Sequence, residues 1–233
     1  MLSYNVQGHG ALFSRRYLER IARVIEETRP DVVGLQEVYR GGWKARFADQ
    51  AGELARLTGM RLFFGPSFAS RGAEFGNAVL TPGEILGAEI VPLDGPGEPR
   101  TLLHSRVALG KGRDGARPFD FYVTHLAAWG RWQSEVRGRQ VEGILARLRQ
   151  GPRPFVLVGD LNAGPRAPEL LPLLSAEIFR RCEGLTCTHR ILRQEIDYVF
   201  ADPGWTTVRA EVLRTGPSDH WPLLVELHRA TEP

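Results

Sequence analysis

Hydrophobic positions along the chain first recur at helical spacing. Within Tyr17–Thr28 the apolar side chains fall three or four residues apart, which is typical of one face of an amphipathic helix, and Pro30 ends this pattern. The same spacing predicts a second helix over Phe47–Thr58, which Gly59 ends, and a third over Val136–Arg149. Each of these helices has one apolar face, so the pattern also predicts a core for them to cover.

Between the helices, short apolar runs bounded by Gly, Pro or polar residues predict strands. The predicted strands are Leu2–Val6, Asp31–Gln36, Arg61–Phe64, Ala78–Leu80, Glu84–Pro92, Thr101–Leu109, Asp120–His125, Phe155–Gly159, Glu195–Ala201 and Leu223–Leu227. Several consecutive strands have no helix between them, which favours antiparallel pairing over an alternating parallel sheet. We therefore expect an α/β protein in which two stacked, mainly antiparallel sheets are flanked by helices.

The segment Pro92–Pro99 is rich in Pro and Gly and could join two domains. Strands and candidate catalytic residues occur on both sides of it, so we interpret it as a loop. Residues 1–233 are accordingly predicted to form a single catalytic domain.

Composition narrows the class of protein. No run of 18 or more apolar residues occurs, so we expect no membrane span. The first residues show no signal-peptide pattern, in which a charged segment precedes an apolar one. We therefore expect a cytoplasmic protein, although an exported protein that had lost its signal peptide would look the same. Cys182 and Cys187 are the only cysteines and lack the further ligands of a zinc site. We expect free thiols if the protein is cytosolic, and a disulfide is possible if it is exported. The net charge of +3 suits an anionic substrate, and no obligate protein partner is evident.

Polar side chains with catalytic chemistry lie at or near the ends of the predicted strands. They are Asn5, Gln36, Glu37, His125, Asp160, Asn162, Asp197, Asp219 and His220. Each one alone is explained most simply as a cap, a turn residue or a hydrogen-bonded structural residue. Together they favour a site, because functional side chains collect on the loops where strands end.

These residue types suit phosphoryl transfer. Oxygen ligands without cysteine select hard cations such as Mg²⁺ or Mn²⁺. One carboxylate can hold the metal ion and a second can orient and deprotonate a water molecule. A histidine fixed by a carboxylate can donate to the phosphate or to the leaving group, and asparagine amides can contact phosphate oxygens without adding charge.

The order of these motifs resembles the endonuclease/exonuclease/phosphatase superfamily. The matching segments are Ser3–Val6, Leu35–Val38, Gly76–Leu80, Thr124–Leu126, Gly159–Asn162, Ile196–Phe200 and Ser218–His220. They span nearly the whole chain, and the Gln-Glu, Gly-Asp-Leu-Asn and Ser-Asp-His elements are the most specific. The resemblance implies a four-layer α/β-sandwich, which agrees with the fold expected from the strand and helix pattern.

The resemblance also implies roles for individual residues. Glu37 is expected to be the principal metal ligand, with Asn5 beside it and Asp219 as a further carboxylate of the metal site. Asp160 resembles the residue that positions the nucleophilic water. His220 resembles the histidine that binds the scissile phosphate.

Further roles follow from the same likeness. Asp197 is expected to orient the phosphate-binding histidine. His125 matches a Thr-His-Leu branch that deoxyribonucleases and phosphatases share, and it is expected to be catalytic. Asn162, Arg100 and Asn77 are expected to contact the substrate.

Substrate class stays open at this stage. The leading hypothesis is a phosphodiesterase that acts on nucleic acid. A phosphatase or a phospholipase C-like enzyme, similar to a sphingomyelinase or an inositol phosphatase, is the second hypothesis, and an inactive binding module is the third. Glu195–Tyr198 replaces the signature of inositol 5-phosphatases, and no hydrophobic hairpin for stable membrane insertion is found. Trp129 and Trp132 could pack under a loop, stack on a base or enter a lipid interface.

Overall fold

The structure is a computed structural model that describes residues 1–8, 14–43, 46, 48–110, 118–128, 132–184 and 187–230. The helices are α1 (Arg15–Thr28), α2 (Gln50–Thr58), α3 (Gln133–Gln150) and α4 (Leu171–Leu174), with a short 3₁₀ helix at Pro168–Leu170. The strands are β1 (Leu2–Asn5), β2 (Val33–Gly41), β3 (Arg61–Ser70), β4 (Ala73–Thr81), β5 (Glu84–Leu93), β6 (Arg100–Ala108), β7 (Phe119–His125), β8 (Phe155–Asp160), β9 (Arg180–Arg181), β10 (Asp197–Ala201), β11 (Trp205–Val212) and β12 (Leu223–Arg229).

These strands form two six-stranded sheets. The first sheet has the order β11-β12-β1-β2-β4-β3, and the second has the order β5-β6-β7-β8-β10-β9. Near its centre each sheet contains one parallel pair, β1–β2 or β7–β8, and all other neighbours are antiparallel. The prediction of two mainly antiparallel sheets is confirmed.

Three apolar clusters show how the layers stack. One joins α1 and α2 to the outer face of the first sheet, and another joins α3 and α4 to the outer face of the second sheet. A third cluster contains Val79 of β4, Val123 of β7 and Val158 of β8, and therefore fills the space between the sheets. The order is helices, sheet, sheet, helices, which confirms the four-layer sandwich.

Helix boundaries follow from local capping. Ser14 accepts a hydrogen bond from the Tyr17 amide and begins α1, while Arg29 ends it in the left-handed conformation before Pro30. The second helix begins at Gln50, later than predicted, because the Asp49 side chain accepts the amide of Gly52 and is the N-cap. The predicted start of that helix at Phe47 lies outside the described residues.

The hydrophobic pattern of the sequence did not predict strand β11 or the short strand β9. Strand β11 lies at the edge of its sheet, and its residues are exposed or half-buried, so the sequence shows no buried apolar run there. The predicted loop Pro92–Pro99 begins two residues too early: Pro92 and Leu93 still pair in β5, and residues 94–99 connect β5 to β6. Cys182 and Cys187 are free thiols. None of the helices in the described ranges is long and apolar enough to cross a membrane.

Candidate active site

The alternation of side chains along the central strands points polar residues into the gap between the sheets. Val156 and Val158 of β8 belong to the cluster between the sheets, so Asp160, two residues further, lies on the same face. The same argument places His125 on this face, two residues after Val123 of β7. The apolar packing between the sheets therefore ends at two of the polar candidate residues.

Three neighbouring strands bring three of the predicted residues into one row. His125 of β7 is the register partner of Asp160 of β8, and Asp160 is the register partner of Asp197 of β10. The His125 Nε2 lies 3.7 Å from the Asp160 Oδ2. All three side chains are buried. The row thus places two carboxylates and one imidazole side by side in the buried interior.

Glu37 reaches the site through an irregularity in β2. The register between β2 and β4 shifts between Leu35 and Val38, and Glu37 has a φ of 58°, which is rare for a residue other than glycine. A bulge of this kind changes the direction in which a side chain points. The Glu37 Oε1 lies 4.0 Å from the His125 Nε2 of the second sheet.

Asn5 connects the two sheets. Its Nδ2 donates to the Glu37 Oε1 at 3.1 Å and to the Asp160 Oδ2 at 3.0 Å, while its Oδ1 accepts the Gln7 amide at 3.0 Å. The backbone oxygen of Asn5 accepts the Ser218 hydroxyl at 2.8 Å. One buried amide therefore fixes the distance between carboxylates that come from different sheets, and it ties the segment before β12 to the end of β1.

His220 and Asp197 form a buried pair. The His220 Nδ1 lies 2.9 Å from one carboxylate oxygen of Asp197 and 3.1 Å from the other, and the His220 Nε2 lies 3.7 Å from the Asp160 Oδ2. Burial alone would lower the pKa of His220, but the charges of Asp197 and Asp160 and the hydrogen bond with Asp197 raise it to about 10. The contact expected between Asp197 and His220 is present, and the two carboxylates favour the charged form of the imidazole.

Asp160 is surrounded by donors and by charge of its own sign. Its Oδ1 accepts the amide of Asn162 at 2.8 Å, and Asn162 is in the left-handed region with a φ of 50°. Burial raises the pKa of Asp160, and the negative charge of Asp197 raises it further. The carboxylate therefore has a higher proton affinity than an ordinary aspartate.

Arg100 fixes the tautomer of His125. The Arg100 Nη1 lies 3.0 Å from the His125 Nδ1, and a guanidinium can only donate, so Nδ1 must accept and Nε2 must carry the hydrogen. Burial lowers the pKa of His125 well below its usual value, and the charge of Arg100 lowers it further. His125 is therefore a neutral donor that points its Nε2 towards Asp160 and Glu37.

Arg100 and Asn77, two of the residues predicted to contact the substrate, are buried. Arg100 is 5% exposed, and its other terminal nitrogen, Nη2, lies 2.8 Å from Glu98. Asn77 is buried, and its Nδ2 donates across the sheets to the Thr101 oxygen at 3.4 Å. Their direct contact with substrate stays a prediction.

Trp132 is 66% exposed, so the prediction that it packs under a loop is wrong. Trp129 lies outside the described residues.

Two residues that the strand-end argument missed lie beside Asp219. The Gln7 Nε2 donates to the Asp219 Oδ2 at 2.7 Å, and the His189 Nε2 lies 3.9 Å from the same oxygen. Burial lowers the pKa of His189, as does the charge of His220. Gln7 comes two residues after Asn5 and could have been found as a continuation of the first strand end. No apolar strand precedes His189, so the sequence held no comparable signal.

The donors fit a hard divalent cation. The carboxylates of Glu37 and Asp160 share one amide group, and the charge crowded around Asp160 would be neutralised by a cation bound there. In the described part of the chain, two triads place their possible ligand atoms within 4.8 Å: Asp160 with Asp197 and His220, and His189 with Asp219 and His220. Glu37 is in neither triad, and the Asn5 amide presents its Nδ2 to the carboxylates. The predicted ligand set of Glu37, Asn5 and Asp219 stays a prediction.

Comparison with solved structures shows which proteins share the fold. The chain is similar to an endonuclease/exonuclease/phosphatase from Beutenbergia cavernae, with a TM-score of 0.81 and 23% identity over 98% of this chain and 70% of that one. The catalytic domain of human nocturnin has a TM-score of 0.78 and 21% identity, covering 98% and 92% of the two chains. TDP2 of D. rerio, solved with a single-stranded DNA product, has a TM-score of 0.76 and 18% identity, covering 97% of both.

Sequence comparison identifies the family. No curated protein matches the chain at a significant level. The profile of the Endonuclease/Exonuclease/phosphatase family, however, matches residues 2–220, which include every candidate site residue. Members of that family are divalent-metal-dependent hydrolases of phosphoester bonds. The chain therefore belongs to the endonuclease/exonuclease/phosphatase family and is a phosphoester hydrolase.

Proposed function

We propose that the chain is a Mg²⁺- or Mn²⁺-dependent phosphodiesterase that hydrolyses nucleic acid. The observation that carries the proposal is the buried His220–Asp197 pair beside Asp160. A charged imidazole and a carboxylate of raised pKa, placed 3.7 Å apart, provide a donor for a phosphate oxygen and a base for water.

Each side chain has one task in this proposal. Glu37, Asn5 and Asp219 would hold the cation, which would neutralise charge on the phosphate oxygens. Asp160 accepts the proton of the attacking water, and its raised pKa suits that step. His220 donates from Nε2 to a non-bridging phosphate oxygen, since its Nδ1 is occupied by the orienting carboxylate.

Two neighbours complete the proposed reaction site. His125 donates from its neutral Nε2 to the leaving-group oxygen, because Arg100 fixes the tautomer. Asn162 is held beside Asp160 by its own amide and by a hydrogen bond of 3.0 Å from its Nδ2 to the Leu126 oxygen. We expect the amide of this side chain to contact a phosphate oxygen when substrate is bound.

A cation–aromatic pair supports nucleic acid as the substrate. The guanidinium of Arg190 lies 5.0 Å from the centre of the Trp221 ring. Trp221 directly follows His220 in sequence. Arg190 is exposed and Trp221 half-buried. An arginine and an aromatic ring beside a phosphate site can contact the backbone and a base of a single strand. TDP2 of D. rerio, which has the same fold, was solved with single-stranded DNA.

A second candidate is a phosphomonoesterase. The mannosyl-6-phosphatase Bt3783 of Bacteroides thetaiotaomicron has a TM-score of 0.78 to the chain. Turnover of bis-p-nitrophenyl phosphate, p-nitrophenyl phosphate, single- and double-stranded DNA, RNA and sphingomyelin, each with Mg²⁺ or Mn²⁺, separates the candidates. We expect hydrolysis of the diester and of at least one nucleic acid. A clear preference for p-nitrophenyl phosphate would favour the phosphatase, and turnover of sphingomyelin alone would contradict both.

Arg190→Ala tests the nucleic-acid contact more directly. The variant should raise KM for single-stranded DNA and leave the turnover of bis-p-nitrophenyl phosphate unchanged, because that small diester does not reach beyond the phosphate site. Arg209→Ala is the matched control, since Arg209 is an exposed arginine of the edge strand β11. Equal effects of both variants on DNA would indicate a general charge effect and would contradict a specific contact.

A further inference from the structure

The segment that carries His189 is bound to the segment that carries His220. The Trp221 amide donates to the Thr188 oxygen at 2.8 Å, and the Arg190 amide donates to the Asp219 oxygen at 2.7 Å. These two bonds form an antiparallel bridge between His189 and His220. The two imidazole rings lie 4.6 Å apart between centres at an angle of 63°. Backbone bonds therefore fix the two histidines as neighbours.

One hydrogen bond defines the tautomer of His189. The Leu192 amide donates to the His189 Nδ1 at 3.1 Å, so Nδ1 is an acceptor and the hydrogen of the neutral ring must be on Nε2. The His189 Nε2 points towards Asp219, but at 3.9 Å from its Oδ2 it is beyond hydrogen-bond distance. Gln7 already donates to that same oxygen at 2.7 Å.

A nitrogen that carries a hydrogen cannot bind a metal ion. With Nδ1 used by the Leu192 amide and Nε2 protonated, neutral His189 has no lone pair for a cation. Its role must differ from that of a ligand, although its ring lies in a triad of possible ligands with Asp219 and His220. What the ring offers is a single N–H that is directed into the site.

We propose that His189 is a substrate-contacting residue whose Nε2–H donates to a non-bridging oxygen of the phosphate that His220 binds. The His189 and His220 rings lie 4.6 Å apart between centres, and the His189 Nε2 lies 3.9 Å from the Asp219 Oδ2, so donors from both rings can reach oxygens of one tetrahedral phosphate. This inference rests on the proposed function, because it takes His220 as the phosphate-binding histidine.

The two histidines then differ in what they stabilise. A neutral donor binds a phosphate oxygen that is already charged in the bound substrate, so its effect is felt equally before and during the reaction. Loss of the His189 donor should raise KM and leave kcat nearly unchanged, whereas loss of His220 should lower kcat. A hydrogen bond to a charged group of this kind corresponds to about 10- to 100-fold in kcat/KM.

Two substitutions separate this contact from a structural role. In His189→Asn the side-chain oxygen can replace Nδ1 as acceptor for the Leu192 amide, but the donor at the Nε2 position is lost. In His189→Gln the amide nitrogen can replace Nε2 as donor, but the loop loses its acceptor. His228→Asn is the control, because His228 is an exposed histidine of β12.

The test measures kcat and KM for bis-p-nitrophenyl phosphate with Mg²⁺ or Mn²⁺, and the Kd of inorganic phosphate by calorimetry. We expect His189→Asn to raise KM and Kd by about tenfold or more and His189→Gln to retain most of the binding. If Gln loses as much as Asn, or if Asn binds like the wild type, the proposal is overturned and His189 is a structural residue of its loop.

Phosphate binding separates this inference from the proposed function. If the wild-type protein hydrolyses no diester but His189→Asn still weakens phosphate binding and His189→Gln does not, the proposed function fails and the His189 contact stands. If the wild type hydrolyses the diester and phosphate binds equally to all variants, the contact fails and the proposed function stands.

Discussion

Asp197→Asn is the most informative substitution in the site. It keeps the shape of the side chain and removes the charge that lies 2.9 Å from the His220 Nδ1. Burial alone lowers the pKa of His220, so the charged state depends on its carboxylate neighbours, with Asp197 the strongest of them. The substitution should therefore lower the pKa of His220 and reduce the fraction of enzyme with a charged imidazole at alkaline pH.

The size of the effect follows from the same pair. The difference between the ordinary value of 6.5 and the pKa of about 10 corresponds to roughly 5 kcal/mol in favour of the imidazolium. Asp160 and Asp219 contribute to this preference, but only Asp197 adds a hydrogen bond to its charge. A hydrogen bond between charged partners is worth about 1.5 to 3 kcal/mol, so the loss of the Asp197 charge should cost the imidazolium on the order of 2 kcal/mol. The alkaline limb of kcat/KM should then move to lower pH by about 1 to 2 pH units.

Stability should change in the same pH range. Because the pKa of His220 is higher in the folded protein than in the unfolded chain, its contribution is complete below about pH 6.5 and is lost as the pH rises towards 10. Urea unfolding of the EDTA-treated protein between pH 8 and 10.5 measures this loss, at pH values where Asp160, despite its raised pKa, is largely ionised. The wild type should lose more free energy of unfolding over this range than Asp197→Asn.

Asp120 provides the matched control. It is also a buried aspartate, with its Oδ1 2.7 Å from the Nε2 of His104, but it lies at the opposite end of β7 from His125. Asp120→Asn should destabilise the protein and leave the alkaline limb of kcat/KM in place. If the limb of Asp197→Asn coincides with that of the wild type, or if Asp120→Asn moves it equally, then Asp197 does not control the charge of His220.

Three further predictions test the metal, the histidines and the packing between the sheets. EDTA should abolish turnover, and Mg²⁺ or Mn²⁺ should restore it. Glu37→Gln should raise the metal concentration needed for turnover clearly while lowering the Tm only slightly. Full turnover in EDTA would contradict metal dependence. His220→Ala should lower the rate by about 10²-fold or more. His125→Ala should lower the rate less for a substrate that releases p-nitrophenolate than for one that releases a poorer leaving group such as a nucleoside. Equal losses of rate for both substrates would contradict the role of His125. Gly34→Ala should lower the Tm by several degrees, because its Cβ would lie 2.6 Å from the Val158 Cγ2; an unchanged Tm in thermal unfolding would show that the sheets can relax.

The sequence predicted the layers and much of the site because both depend on short-range pattern. Asp160 follows an apolar run that ends in Gly159, and His125 follows another, so the strands and their last residues were visible together. Side-chain alternation then places both residues on the face between the sheets. The resemblance named a histidine, His220, as the partner of Asp197, and the structure shows that contact.

Other features depend on geometry that no local pattern contains. The bulge that turns Glu37 appears only when β2 is paired with β4, since it is a mismatch between the two strands. The contact between the Arg100 guanidinium and the His125 Nδ1 joins residues of neighbouring strands, so it could not be seen in either strand alone. His189 comes to the site through a bridge to His220, which is 31 positions away in sequence.

The dependence of the site on both sheets explains why its motifs extend along so much of the chain. Asn5 and Glu37 come from the first sheet, and Asp160 comes from the second, yet one amide group donates to both carboxylates. That geometry exists only while the sheets are packed at the separation that Gly34 permits. The contacts of Asn5 with Glu37 and with Asp160 therefore form together only when the two sheets pack against each other.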